Sequence, residues 1–172
     1  MQRTDHHDEA DMATVFTTRL QTPLGPLRLL AEGDALTGLY FPDHRRAPVA
    51  SDAWVEAPEA FADVTAQLDA YLCGEKRRFD VAVRLRGSAF QLAVWERLRD
   101  VPYGMTTSYG QLAAAVGRPS AARAVAAAVA RNPVSIVVPC HRVVGAGGAL
   151  TGYAGGVERK AWLLALEAGH PA

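Results

Sequence analysis

The chain has 172 residues, of which 49% are hydrophobic and 21% charged, with a formal net charge of zero. That length suits one domain or two small ones sharing an interface, and the composition excludes bulk disorder. No apolar run reaches the roughly 18 residues of a membrane span, and no basic stretch followed by an apolar one opens the chain, so a soluble cytoplasmic protein is expected. The two cysteines, Cys73 and Cys140, are too few for a disulfide framework. Neither belongs to a C-x-x-C pair or a Cys/His cluster with zinc-ligand spacing, and no metal or cofactor is expected.

Residues 1–12 are polar and without periodicity, and read as a disordered tail. Its His6-His7-Asp8-Glu9 cluster reads either as a metal site or, more simply, as solvated tail. Val15–Leu20, Leu27–Ala31 and Leu36–Phe41 have the look of three short strands. Pro23-Leu24-Gly25-Pro26 and Glu32-Gly33-Asp34 supply the turns between them. A proline-punctuated loop covers 42–58. Glu59–Cys73 has a helical face of Phe61, Val64, Leu68, Tyr71 and Leu72, with Gly74 just past its end. Phe79–Val83 alternates like a further strand. This half carries no chemical motif and reads as a scaffold.

The second half changes character. Ser88 is placed to cap a helix carrying Phe90, Val94, Trp95, Leu98 and Val101, stopped by Pro102. Ser108 is placed to cap a short helix, Tyr109–Val116, ended by Gly117. Ser120 is placed to cap the next, Ala121–Arg131. Two helices joined by a short glycine-containing turn fit a helix-turn-helix. A compact segment, 132–144, follows, then a glycine-rich stretch from Gly145 to Gly156 and a last helix, about Val157–Ala168.

Charge divides along the same line. Residues 1–80 hold 14 acidic and 8 basic side chains, a net of −6, and residues 81–172 hold 4 and 10, a net of +6. The basic half either faces a polyanion or reflects compositional drift between two subdomains.

Pro139-Cys140-His141-Arg142 is the chemical centre. Cysteine reacts as its thiolate, and an ordinary thiol with a pKa of about 8.5 is mostly protonated at neutral pH. A base or a cation beside it is needed, and a tight turn after Pro139 would bring His141 back toward Cys140, directly or through one water. The histidine in turn needs an orienting acceptor, for which Glu167 on the short last helix is the candidate. Taken alone, Pro-Cys-His reads more readily as a small buried hydrophobe after an Ile-Val-Val strand. Its surroundings point the other way. Seven of the ten residues 121–130 are alanine. Such a helix can approach a groove closely, but with only Arg123 and Arg131 it is poorly equipped to read bases. Gly152-Tyr153-Ala154-Gly155-Gly156 reads as a lid or as a plain turn.

Ser108-Tyr109-Gly110-Gln111-Leu112-Ala113, Ala122-Arg123-Ala124-Val125, Asn132-Pro133, Pro139-Cys140-His141-Arg142-Val143 and the run Gly152–Glu167 together closely resemble the O6-alkylguanine-DNA alkyltransferases, the methylated-DNA–protein-cysteine methyltransferases. The strong match covers about residues 88–168, and the first half matches in layout only. The resemblance implies an α/β fold in two parts: a small mixed, ribonuclease-H-like domain over 13–85, and a helical domain with a helix-turn-helix over 86–172. It implies Cys140 as alkyl acceptor, His141 as base through a water, Glu167 as its orienter and Asn132 as the hinge beside the site. Tyr109 would aid nucleotide rotation and protonate the leaving guanine, and Arg123 would enter the base stack. Ser120, Ala124, Ala127 and Arg131 would complete the DNA-facing surface. Ser135, Val143, Tyr153, Ala154 and Gly155 would form the guanine pocket. The implied partner is duplex DNA carrying O6-alkylguanine, bound by a monomer largely without sequence preference, with O4-alkylthymine as a second substrate.

Departures are visible as well. The structural zinc ligands of some animal members have no counterpart here. Ser135 stands where animal relatives often have proline, and Ala154 where many have serine. The competing readings are a lesion-binding relative without transfer, which would lack the acceptor cysteine, and a thiol hydrolase, which would leave the alanine-rich helix unexplained. A transcription regulator would need base readers and a sensor domain.

Overall fold

The computed structural model describes residues 14–169. The tail and its His6-His7-Asp8-Glu9 cluster lie outside the described residues. Three strands come first: β1 (Val15–Leu20), β2 (Leu27–Glu32) and β3 (Ala35–Tyr40). Between β1 and β2 the Thr22 hydroxyl accepts from the Leu24 N–H at 3.1 Å and donates to the Gly25 carbonyl at 2.7 Å, closing the turn that the Pro-Leu-Gly-Pro signal predicts. The strands pair antiparallel, and a two-residue strand β4 (Val55–Glu56) adds parallel to β1, giving the order β3-β2-β1-β4.

The strand expected over Phe79–Val83 does not form. Its alternation is real, with Phe79, Val81 and Val83 half-buried and Asp80 and Ala82 exposed. Yet the segment meets β3 at a single parallel bridge, Leu36 to Val83. The Gln67 side chain takes both backbone groups of Asp80, at 2.8 and 2.9 Å, and so removes them from any ladder. Gln67 lies on helix α1 (Ala62–Leu72), which a short 3-10 turn at Pro58–Phe61 precedes. The helix buries Val64, Leu68, Tyr71 and Leu72, the face read from the sequence. It ends in a Schellman motif, with Gly74 N–H donating to the Tyr71 carbonyl and Glu75 N–H to that of Ala70, both at 2.9 Å.

Helix α2 (Ala89–Arg99) begins in a full capping box between Ser88 and Gln91. A second capping box, Ser108 with Gln111, starts α3 (Tyr109–Ala115). Helix α4 (Ala122–Val129) is shorter than expected and Ser120 does not cap it. The chain turns at Arg118–Ala121, where Ala121 N–H donates to the Arg118 carbonyl at 2.9 Å, so Ala121 takes the cap position and Ser120 stands one residue too early. The Trp95 indole of α2 donates to the Ala128 carbonyl of α4 at 2.9 Å and ties the two helices together.

The Ile-Val-Val segment is not a strand either. Val137 N–H donates to the Ser135 carbonyl and Val138 N–H to that of Val134, and Ile136 sits at φ +70 in a series of turns. A short parallel pair follows, β5 (Thr107–Ser108) with β6 (Val143–Val144), and then α5 (Val157–Glu167). The two halves share one buried cluster that runs from Leu24 to Leu163. They also share backbone bonds: Leu39 N–H to the Pro133 carbonyl at 2.9 Å, and Ser135 N–H to the Leu39 carbonyl at 3.1 Å. Among the described residues no helix is long and apolar enough to cross a membrane.

Gly155 is buried where a Cβ would lie 2.3 Å from the Phe41 ring, whereas at Gly110, near the start of α3, the nearest atom would be 3.9 Å away. Gly155→Ala should therefore cost on the order of 1–3 kcal/mol through overpacking. Gly110→Ala should gain about 0.5 kcal/mol through helix propensity. Urea titration of both variants reads the two effects, and equal shifts would mean that the Phe41 ring gives way freely.

Candidate active site

After the turns at 132–139, residues Cys140–Arg142 make one turn of 3-10 helix. The tight turn asked of the sequence is thus present, and it carries His141 and Arg142 to the same partner. Cys140 is 5% exposed and His141 fully buried. The Asn132 side chain is the brace: its Nδ2 donates to the Val138 carbonyl at 2.8 Å and to Cys140 Sγ at 3.1 Å, while its Oδ1 accepts from Val134 N–H at 3.0 Å. One amide thereby shapes the loop and places a donor on the sulfur.

Glu167, near the end of α5, gathers four elements. Its carboxylate accepts from His141 Nε2 at 2.8 Å, from Arg142 Nε and Nη2 at 2.8–3.2 Å, from the Gly104 N–H at 3.1 Å and from the Tyr71 hydroxyl of α1. Burial alone would raise this carboxyl, but the bonds from His141 and Arg142 outweigh it and hold Glu167 well below the usual carboxylate range. An ionised Glu167 accepts only, so Nε2 of the neutral imidazole carries the proton. That leaves His141 Nδ1 as the basic nitrogen, and no atom of the described residues bonds to it. Burial pushes the histidine below its ordinary value and so keeps it neutral.

The thiol is pushed up by burial, offset in part by the Asn132 hydrogen bond and by the charge of Lys160. Lys160 is itself fully buried, and its Nζ donates to the Thr151 carbonyl at 2.9 Å, tying α5 to the glycine-rich loop. The Tyr153 hydroxyl is buried beside Cys140 and Ser135 without a well-formed hydrogen bond, and burial keeps it protonated.

Cys140 faces a cavity of about 530 Å³, within the range of small-molecule sites. Tyr109, Ala126, Val129 and Ala130 of the helix-turn-helix line it, as do residues 151–154 and, from the first half, Arg45 and Arg46. Of the expected pocket residues Tyr153 and Ala154 line the cavity. Ser135 and Val143 are buried behind it, and Gly155 packs on Phe41. Ser120, Arg123, Ala124, Ala127 and Arg131 are all exposed; Arg123, Ala124 and Ala127 share one face of α4, and Arg131 follows just past its end. Tyr71, Lys160, Arg45 and Arg46 were not singled out in the sequence. In the sequence Tyr71 is one more aromatic on an apolar helical face, and nothing there marks Lys160. Arg142 was read as a charge for Cys140, whereas it is spent on Glu167.

The fold and this site define a protein that joins a buried cysteine and a bonded His–Glu pair to a helix-turn-helix. Residues 15–85 match the ribonuclease-like domain of 6-O-methylguanine DNA methyltransferase, and residues 89–169 match its DNA-binding domain. The chain belongs to this family, whose members are methylated-DNA–protein-cysteine methyltransferases of DNA repair. The Mycolicibacterium paratuberculosis methylated-DNA–protein-cysteine methyltransferase is 50% identical over 88% of this chain and 91% of its own. The one from Methanosarcina acetivorans is 44% identical over 86% and 94%. The crystal structure of Mycobacterium tuberculosis OGT in complex with DNA superposes with a TM-score of 0.86 at 46% identity, covering 90% of this chain and 93% of that one. The fold class, the enzyme class and a DNA-binding second half stand as the sequence suggested.

Acid should act on this site in two stages. His141 stays neutral when folded, so the unfolded chain takes up the extra proton and stability begins to fall as pH drops through about 6.5. Glu167, held low, contributes fully above about pH 4.5 and less and less below it. The stability gap between wild type and Glu167→Gln, measured by urea titration from pH 8 to 3, should narrow below pH 4.5. A constant gap would trace the loss to packing instead of to the carboxylate charge.

Proposed function

We propose that this protein repairs DNA by direct reversal, moving the alkyl group of O6-alkylguanine, and also that of O4-alkylthymine, to Cys140 in a single turnover. The observation that carries the reading is Cys140 at a cavity edge, with a donor on its sulfur, followed in the chain by a buried histidine whose Nδ1 has no partner among the described residues. A thiol buried in this way is protonated at rest and must be discharged locally. His141 Nδ1 takes the proton through one water, and the imidazolium that forms is stabilised by Glu167. The thiolate attacks the alkyl carbon, the S–C bond forms and the C–O6 bond breaks with its electron pair. The Tyr109 hydroxyl protonates the departing guanine and is itself reprotonated from solvent. The product is a thioether with no leaving group, so one molecule repairs one lesion.

A base inside a duplex cannot reach this cavity and must be extruded, at a cost of a few kcal/mol. The exposed face of α4 suits the task. Its alanines allow close approach without base reading, and Arg123 fills the space the nucleotide leaves. The protein acts as a monomer, in the cytoplasm, on lesions in any sequence context.

Intact mass after incubation with a duplex containing O6-methylguanine should show a gain of one methyl group, mapped to Cys140. Cys140→Ala should bind the same duplex without gaining mass. A label on Cys73, or repeated turnover, would sink the reading. Arg123→Ala should lower the saturated single-turnover rate on duplex by about tenfold, equivalent to about 1.4 kcal/mol. Its effect on the free modified base, where no gap opens, should be far smaller. A saturated duplex rate equal to wild type would leave Arg123 as a binding residue only.

A further inference from the structure

The net −6 half reaches the cavity at one turn, and that turn carries two arginines. Phe41 is buried at the end of β3 and is gripped from several sides. It packs against Tyr153 with centroids 5.8 Å apart, it fills the hollow over Gly155, and the Arg159 guanidinium lies 5.3 Å from its centre. His44 comes next. It is 6% exposed and sits edge-on to Tyr40 at 5.2 Å. Its backbone N–H donates to the Phe41 carbonyl at 3.2 Å and its carbonyl accepts from Ala47 N–H at 3.0 Å. Its Nδ1 accepts from the backbone N–H of Arg46 at 3.2 Å. Burial, with the charge of Arg46 second, keeps the ring neutral and therefore able to accept. The neighbouring acid, Asp43, lies 3.8 Å from Arg159. Arg45 and Arg46 are exposed, line the same cavity as Cys140, and among the described residues take part in no ion pair.

Two unpaired guanidiniums held on a braced turn at the mouth of a cavity are an anion site, and a guanidinium fork suits a phosphate. A nucleotide extruded into the cavity brings its own two phosphodiesters to the rim. We infer that Arg45 and Arg46 grip the phosphates flanking the extruded nucleotide, so that the acidic half supplies a DNA contact that forms only once the lesion has turned out. This rests on the reading of Cys140 as acceptor from an extruded base. It assigns to the first half a part in holding the flipped state, where the sequence offered a scaffold.

The test uses the full chain carrying Cys140→Ala, which cannot transfer, so that binding is read apart from chemistry. Affinity for a duplex with one O6-methylguanine and for the same duplex unmodified is measured across salt concentration, with and without Arg45→Ala plus Arg46→Ala. On the lesion duplex the double substitution should flatten the log–log salt slope by on the order of 1.5–2 and cost roughly tenfold in affinity. On the unmodified duplex the change should be much smaller, because the phosphates do not reach the turn there. Arg45→Lys plus Arg46→Lys should restore most of the slope, which a lost packing role would not allow. An unchanged slope, an equal loss on both duplexes, or failure of the lysine pair to restore binding would overturn the inference. Failure of the wild-type protein to take up a methyl group from the lesion duplex would instead overturn the function on which it rests.

Discussion

One buried carboxylate holds this molecule in working order. Glu167 stands near the end of α5 and is met by the Tyr71 hydroxyl from α1, His141 and Arg142 from the acceptor turn, and the Gly104 backbone from the connection before β5. A charge in that position is tolerated only because its lone pairs are filled, Arg142 supplying a full countercharge and the others directional bonds. Removing a partner would leave the rest uncompensated in a dry site. The same bonds fix the tautomer, since an ionised Glu167 forces the proton onto Nε2 and leaves Nδ1 as the basic nitrogen. Structural pairing and the orientation of His141 are thus one arrangement, in which the first half takes part through Tyr71.

The thiol illustrates how reactivity is kept in reserve. Burial pushes Cys140 away from the thiolate, Arg142 is spent on Glu167, and the charge of Lys160, held on the Thr151 carbonyl, offsets the burial only in part. The Asn132 amide donates directly to the sulfur and favours the thiolate. A thiolate is both nucleophile and target of oxidation. On the proposed function, a cysteine that is a thiol at rest and is deprotonated only locally would avoid spending its single reaction on the wrong partner.

Local rules carried much of the architecture. Both capping boxes, the Schellman end at Gly74 and the apolar face of α1 follow from short-range chemistry that any reader of the chain can apply. The misreadings share a cause. Phe79–Val83 lost its ladder to the Gln67 side chain, and the Ile-Val-Val run became turns under the Asn132 brace. In both, a distant or sideways polar group claimed the backbone that propensity had assigned to a strand. The acceptor turn was legible because Pro-Cys-His-Arg is contiguous and chemically unusual. Tyr71, Lys160 and the Arg45–Arg46 pair were not: Tyr71 acquires its meaning from Glu167, 96 residues on, and the others from burial or from a cavity that only the folded chain creates.

The charge division also takes on a geometrical sense. The basic half presents Arg123 on the exposed face of α4 and Arg131 just past its end, and the acidic half is otherwise a surface that duplex DNA should avoid. Such an asymmetry orients the molecule as it approaches a polyanion, at long range and without contacts, and salt weakens it. Once docked, the same repulsion would keep the duplex away from the sheet, so that on the proposed function a single extruded nucleotide would be the part of the DNA that comes near the first half. The Arg45–Arg46 turn lies where that nucleotide would arrive. A local reversal of sign inside an otherwise acidic half therefore discriminates between DNA that lies along α4 and DNA that has released a base into the cavity.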